Sequence, residues 1–201
     1  MSLKVPEKSI KTWDFVGDSL VLKTPVFQVL KRAVISPKDS CEKIFAVIDA
    51  PDWVNVLALT PQNQVVLVNQ YRQGSKSFSL ELPGGVTETG DSLLETAQRE
   101  LMEETGYSAT GFFPFLQMNP NPALFGNRIT TFLAREACPT GTTSFDENEE
   151  TEVSLVSLKE LKQKLLDSTI DHALMIAAIS YFLLTRPDLN ASSLNTSSMK
   201  R

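Results

Sequence analysis

From residue 19 to residue 134 the chain is mostly a series of short apolar runs, at 19–23, 26–35, 43–48, 54–59, 65–71, 112–117 and 129–134. Each has the length of a strand, and the turn-forming stretch Thr60-Pro-Gln-Asn63 separates two of them. Residues 92–105 interrupt the series with apolar positions at helical spacing. Two further helices are predicted near 158–167 and 171–185, the first opened by Ser157-Leu-Lys-Glu160, which reads as a capping box, and the second followed by Pro187. The uncharged stretch within the last helix, 173–184, is about a dozen residues against the roughly 20 a bilayer requires, so it reads as a buried helix and not a membrane span. Strands flanking one central helix, with helices at the end, predict an α/β (α+β) layered domain. Residues 51–187 form its body, 1–50 a strand-like extension before it, and the polar, Ser/Asn-rich 188–201 a disordered tail.

Composition then removes several kinds of chemistry. With 201 residues, 42% hydrophobic and 21% charged, the chain has material for a sizeable core. It has one histidine, His172, and two cysteines, Cys41 and Cys138, which excludes an all-Cys/His zinc centre and a C-x-x-C redox pair. The amino end lacks the apolar run of a signal peptide, so a cytoplasmic location with free thiols is expected. The net charge of -5 disfavours nucleic-acid and anionic-membrane partners. That charge is unevenly placed: residues 85–107 sum to -5, residues 146–152 to -5, and the rest of the chain to +5.

The first acidic stretch is LPGGVTETGDSLLETAQRELMEETGY, from Leu82. Gly84-Gly85 permits a tight turn, Asp91 or Ser92 can cap a helix, and Gly106 can end it in the left-handed conformation. On that helix Leu94, Ala97, Leu101 and Met102 make an apolar stripe, while Glu100, Glu103 and Glu104 share an arc of about 100°. Like charges at these spacings weaken a helix unless something positive occupies the arc, and a divalent cation is the natural candidate. Arg99 lies four residues from both Glu95 and Glu103 and can pair with both, holding the cluster in one geometry. Hard carboxylate oxygens select Mg2+ or Mn2+, and such a site suits a diphosphate.

This stretch resembles the Nudix box, G-x5-E-x7-R-E-U-x-E-E-x-G-U, through Gly85, Arg99, Glu100, Leu101, Glu103, Glu104, Gly106 and Tyr107, with Asp91 where the family has its first glutamate. The resemblance implies a mixed β-sheet sandwiched between helices. It implies Glu100, Glu104 and the backbone carbonyl of Gly84 as metal ligands, Glu103 as a ligand or its close partner in catalysis, and Gly85, Asp91, Arg99 and Gly106 as structural members of the motif.

Gln70-Tyr71-Arg72 ahead of Glu81-Leu82-Pro83-Gly84-Gly85 resembles the Q-Y-R and E-L-P-[AG]-G pair of ADP-ribose and nucleoside-diphosphate-sugar hydrolases, and Pro122 lies near that subgroup's diagnostic proline. Arg72 can fork onto a phosphate, and Glu81 can hold a sugar hydroxyl or the arginine itself. The run Asn119-Pro-Asn-Pro122-Ala-Leu-Phe125-Gly126 can shape a pocket. The second acidic stretch, SFDENEETEV, resembles the subgroup's E-x-E loop, whose glutamate serves catalysis, and Glu149 and Glu147 are the candidates. A strand-rich extension like residues 1–50 pairs two subunits in this subgroup and covers the nucleotide, so a homodimer is expected, with Lys31, Arg32, Trp13 or Phe15 near phosphate or base. The reading is a Mg2+-dependent pyrophosphohydrolase of ADP-ribose or nucleoside-diphosphate sugars. Dinucleotide polyphosphates, coenzyme A, oxidised nucleoside triphosphates and a non-hydrolytic sensing module are the alternatives.

Overall fold

The computed structural model describes residues 10–141 and 151–186, which form two compact units, one of residues 10–50 and 121–126, the other of 51–120, 127–141 and 151–186. The expected disordered tail and the acidic candidates Glu147 and Glu149 lie outside the described residues.

The first unit is an antiparallel sheet of β1 (Asp14–Lys23), β2 (Gln28–Ile35) and β3 (Glu42–Asp49), with β2 central. Register shifts between Phe15 and Gly17 and between Leu20 and Leu22 interrupt the β1 pairing, as β-bulges do. Phe15, Leu20, Leu22, Ile44 and Phe45 are exposed on this sheet. Residues 121–126 join it through the Ile48 N–H, which donates to the Leu124 carbonyl at 2.8 Å.

In the second unit the order is β4 (Trp53–Ala58), β5 (Gln64–Arg72), β6 (Ser77–Glu81), α1 (Leu93–Thr105), β7 (Tyr107–Ser108), β8 (Gly111–Met118), β9 (Ile129–Arg135), β10 (Cys138–Pro139), β11 (Thr151–Ser157), α2 (Leu158–Leu166) and α3 (Ala173–Thr185). One sheet has the order β11-β5-β6, all antiparallel. Another has the order β4-β9-β8, with β4 and β9 parallel and β8 antiparallel to β9, and β7 pairs with β10. The mixed α/β class is as expected, whereas β6, β7 and β10 were not anticipated.

Alternation along the central strands sorts their side chains into two cores. Val54, Val56 and Ala58 of β4 face Ala97 and Leu101 of α1, with Phe132 and Ala134 of β9. Leu57, with Leu133 of β9, faces Leu158 and Leu161 of α2 and Met175, Ile179 and Phe182 of α3. The predicted capping box before α2 forms, and of the two candidates before α1 Ser92 is the cap, also as a capping box. Ser92 Oγ accepts from the Glu95 N–H at 3.2 Å while the Glu95 carboxylate accepts from the Ser92 N–H at 2.9 Å, and Ser157 and Glu160 repeat the arrangement before α2. Ser157 is also the last residue of β11, so strand and helix share it. The α3 helix is capped by His172, whose Nδ1 accepts from the Leu174 N–H at 3.2 Å. Among the described residues no helix is long and apolar enough to cross a membrane.

Candidate functional site

The site is built where β4 meets the turn before α1. The Val54 N–H donates to the Gly85 carbonyl at 2.9 Å and the Val56 N–H to the Pro83 carbonyl at 2.8 Å, so residues 83–85 run antiparallel beside β4 with Gly84 opposite Asn55. This is the close, non-hydrogen-bonded kind of pair. A Cβ on Gly84 would collide with the Val54 carbonyl oxygen and come 2.7 Å from the Asn55 Cα. Glycine is required there for close approach. The next glycine leaves room for a side chain rather than for backbone, since a Cβ on Gly85 would lie 2.5 Å from Glu100 Oε1.

The helix delivers its carboxylates to this turn. Ala97 and Leu101 seat α1 in the core, which turns Glu104 inward to 4% exposure. Its Oε2 accepts from the Gly84 N–H at 2.9 Å. Glu100, one helical turn earlier, packs against Gly85. Two carboxylates i and i+4 on one helix face thus close onto two consecutive glycines. Gly106 ends the helix in the left-handed conformation at φ 69°, its N–H donating to the Met102 carbonyl at 2.7 Å.

Glu103 is turned elsewhere. It accepts from Arg99 Nη1 at 2.9 Å, and Arg99 Nη2 reaches Glu100 at 3.1 Å and Glu88 at 3.8 Å, while its Nε lies 3.9 Å from Asp91. Burial works against the Arg99 charge, and Glu100 and Glu103 outweigh it, so its affinity for the proton is raised. Of the two pairings expected of Arg99, that with Glu103 forms and that with Glu95 does not, because Glu95 is committed to the Ser92 cap. Among the described residues no three Asp, Glu, His or Cys side chains gather as a metal centre. Glu100, Glu104 and a carbonyl of the turn nevertheless supply hard oxygen donors of the kind a divalent cation takes alongside its own waters.

Beside this turn, Arg72 forks onto Glu81, with Nε at 2.9 Å and Nη2 at 2.8 Å. Glu81 is 2% exposed. Burial pushes its carboxyl up, but the hydrogen bonds and charge of Arg72 outweigh that, so Glu81 is held below the ordinary glutamate range. The pair therefore adds stability above that range and loses it as the medium is acidified through about pH 4. With Arg72→Met, burial alone acts on Glu81 and the sign reverses. We expect that variant to lose about 2 kcal/mol at pH 7, and its deficit to shrink on acidification, as read from urea midpoints at pH 7 and pH 4.

Arg32 and Phe125 are in the first unit. The Arg32 guanidinium is forked onto Asp18 at 2.9 and 2.7 Å and sits 5.6 Å from the Phe15 ring centroid, while the Phe125 N–H donates to the Asn121 carbonyl at 2.8 Å. A groove of about 690 Å3 between the start of α1 and β8 is lined chiefly by Leu93, Leu94, Phe112, Leu116 and Phe132, and it contains none of the acidic candidates. One contact was not anticipated. Thr151, at the start of β11, donates its hydroxyl to the Glu104 carbonyl at 3.0 Å.

The family model of the NUDIX domain matches residues 51–178. The chain is 28% identical over 180 residues to the methanol dehydrogenase activator of Bacillus methanolicus, covering 89% of this chain and 93% of that protein. It is 30% identical over 139 residues to the ADP-ribose pyrophosphatase of Bacillus subtilis (strain 168), covering 69% and 75%. A solved ADP compounds hydrolase superposes with a TM-score of 0.77 at 20% identity, over 92% of this chain and 98% of that one.

Proposed function

The chain belongs to the NUDIX domain family, and we propose that it hydrolyses the pyrophosphate bond of ADP-ribose or a related nucleoside-diphosphate sugar, releasing a nucleoside monophosphate and a sugar phosphate. The observation that carries the reading is the convergence of Glu100 and Glu104 on Gly84-Gly85. In this reading they hold Mg2+ or Mn2+, together with the Gly84 carbonyl. A bound cation would neutralise diphosphate charge and make phosphorus more electrophilic.

The chain's own groups do the rest. Glu81, buried and ionised, takes the Nε/Nη2 edge of Arg72 and thereby sets the direction of a guanidinium that contacts phosphate. Arg99 ties Glu103 and Glu100 together, which keeps the acidic face from splaying. Glu149 is the proposed base that takes the proton of the attacking water, with Glu147 the alternative. The Thr151–Glu104 bond supports this, because Thr151 is two residues from Glu149 in sequence, a reach of about 7 Å.

We further propose a homodimer that uses the exposed apolar side chains of β1, β2 and β3 and places Arg32 and Phe125 near the nucleotide. The compartment is cytoplasmic, in keeping with the two exposed free thiols. Similarity to the methanol dehydrogenase activator over most of the chain favours a second reading, in which the same hydrolysis activates a methanol dehydrogenase.

The experiment is a panel of ADP-ribose, other nucleoside-diphosphate sugars, dinucleotide polyphosphates and coenzyme A, offered with Mg2+ and resolved by chromatography. AMP and ribose phosphate from ADP-ribose are expected. No mononucleotide from any sugar diphosphate would remove the reading. Stimulation of a methanol dehydrogenase by the unaltered chain, lost together with diphosphate turnover in Glu104→Gln, would favour the second.

A further inference from the structure

Strand β4 reads Trp-Val-Asn-Val-Leu-Ala, and the asparagine is out of place in it. Every residue from 54 to 58 is buried, and Asn55 falls on the alternate face that carries Leu57 into the apolar core of α2 and α3. It is 1% exposed. Neither Nδ2 nor Oδ1 has a protein hydrogen-bond partner among the described residues. The parallel register of β4 and β9 sets Thr131 beside it, on the face that carries Leu133. Thr131 is 0% exposed, and its Oγ1 is likewise without a protein partner among the described residues. A third polar group of this core is weakly satisfied, for among the described residues the Leu82 N–H donates to the Met175 sulfur, at 3.2 Å.

Buried amides are almost always satisfied, and each exception calls for a partner. The inventory of groups identifies its chemistry. Asn55 offers two donors and an acceptor, and Thr131 offers a donor and an acceptor. A cation would be opposed by the Nδ2 donors and an anion by Oδ1, whereas water both donates and accepts. A direct bond between the two side chains would leave at least part of the amide unmet.

We propose that Asn55 and Thr131 hold an internal water, and that Asn55, through it, is a positioning residue for the Gly84 turn. The placement supports the link to the site. Asn55 stands opposite Gly84, and a Cβ on Gly84 would lie 3.0 Å from the Asn55 Cβ, so the amide starts from the same face of that turn. The Gly84 N–H donates to Glu104. A water that fixes the Asn55 amide would fix the side chain Gly84 packs against on one side, while Glu104 holds the Gly84 N–H from the other. The positioning half of this inference rests on the reading that Gly84 and Glu104 belong to a cation site.

Two measurements test it. High-resolution crystals of the metal-free full chain should show an ordered water within about 2.7–3.2 Å of both the Asn55 amide and Thr131 Oγ1. A direct Asn55–Thr131 bond with no water would overturn the proposal. In solution, Mn2+ affinity read by electron paramagnetic resonance should fall about tenfold or more in Asn55→Val, the scale of losing an outer partner of a metal ligand. Asn55→Ser, which keeps a hydroxyl for the water, should recover most of it. Thr131→Val carries the same expectation if Asn55→Val does not fold. Failure of the unaltered chain to bind Mn2+ would overturn the cation reading itself, whereas normal binding by a folded Asn55→Val overturns only the positioning role.

Discussion

Glu104→Gln should lower kcat for ADP-ribose by about 10²- to 10³-fold, the scale of removing one preorganised charge from a site where charge develops. The substitution is almost isosteric and keeps an acceptor for the Gly84 N–H, now 2.9 Å from Oε2. The helix stays seated by Ala97 and Leu101. We therefore expect a thermal midpoint within about 3 °C of the unaltered protein, since a change below 1 kcal/mol moves a domain of this size by no more than that. A loss of activity with the fold intact separates a functional carboxylate from a structural one. Equal turnover by the two proteins would remove Glu104 from the site.

Gly84→Ala should do the opposite kind of damage. The added methyl meets the Val54 carbonyl and the Asn55 Cα, both backbone, so the strand pairing must shift. We expect a loss of about 3 kcal/mol, at the upper end for overpacking, and a fall in thermal midpoint of about 6–12 °C. Gly85→Ala provides the contrast. Its methyl meets the end of the Glu100 side chain, which can swing aside. That variant should keep nearly all its stability and lose activity, because what moves is a proposed ligand. Differential scanning calorimetry and initial rates on the same preparations distinguish the two. Equal stability losses at both positions would contradict the geometry.

Local features of the fold were legible, and long-range ones were not. The span of α1 follows from an apolar stripe, a capping serine and a terminating glycine, all within one short segment. The pairing of Arg99 with Glu95 failed as an expectation because two local options competed, and the cap won Glu95. Strand β6 was missed although Ser-Phe-Ser-Leu-Glu alternates, because it is short and buries its polar positions Ser79 and Glu81 while leaving Phe78 exposed, and its ladder with β5 fixes it. The three glutamates were visible as an arc, and Glu103 as a helical neighbour of Arg99, yet the closing of Glu100 and Glu104 on the turn depends on packing across the chain. The same holds for Thr151 and Glu104, which are 47 residues apart. Asn55 carried a signal, a polar residue within an apolar strand, but its place opposite Gly84 required the fold.

The shared residue Ser157 has a consequence for anyone who would alter the scaffold. Because β11 ends on the residue that caps α2, that junction contains no spare backbone, and an inserted peptide would break either the ladder with Gln64 or the cap on Glu160. The β5–β6 connection is the reverse case. Its residues 73–76 are exposed, and Gly74 has nothing within 4 Å of where a side chain would begin. A reporter or affinity peptide belongs there, beside Gly74, provided the bond from the Lys76 N–H to the Arg72 carbonyl that closes the hairpin is kept.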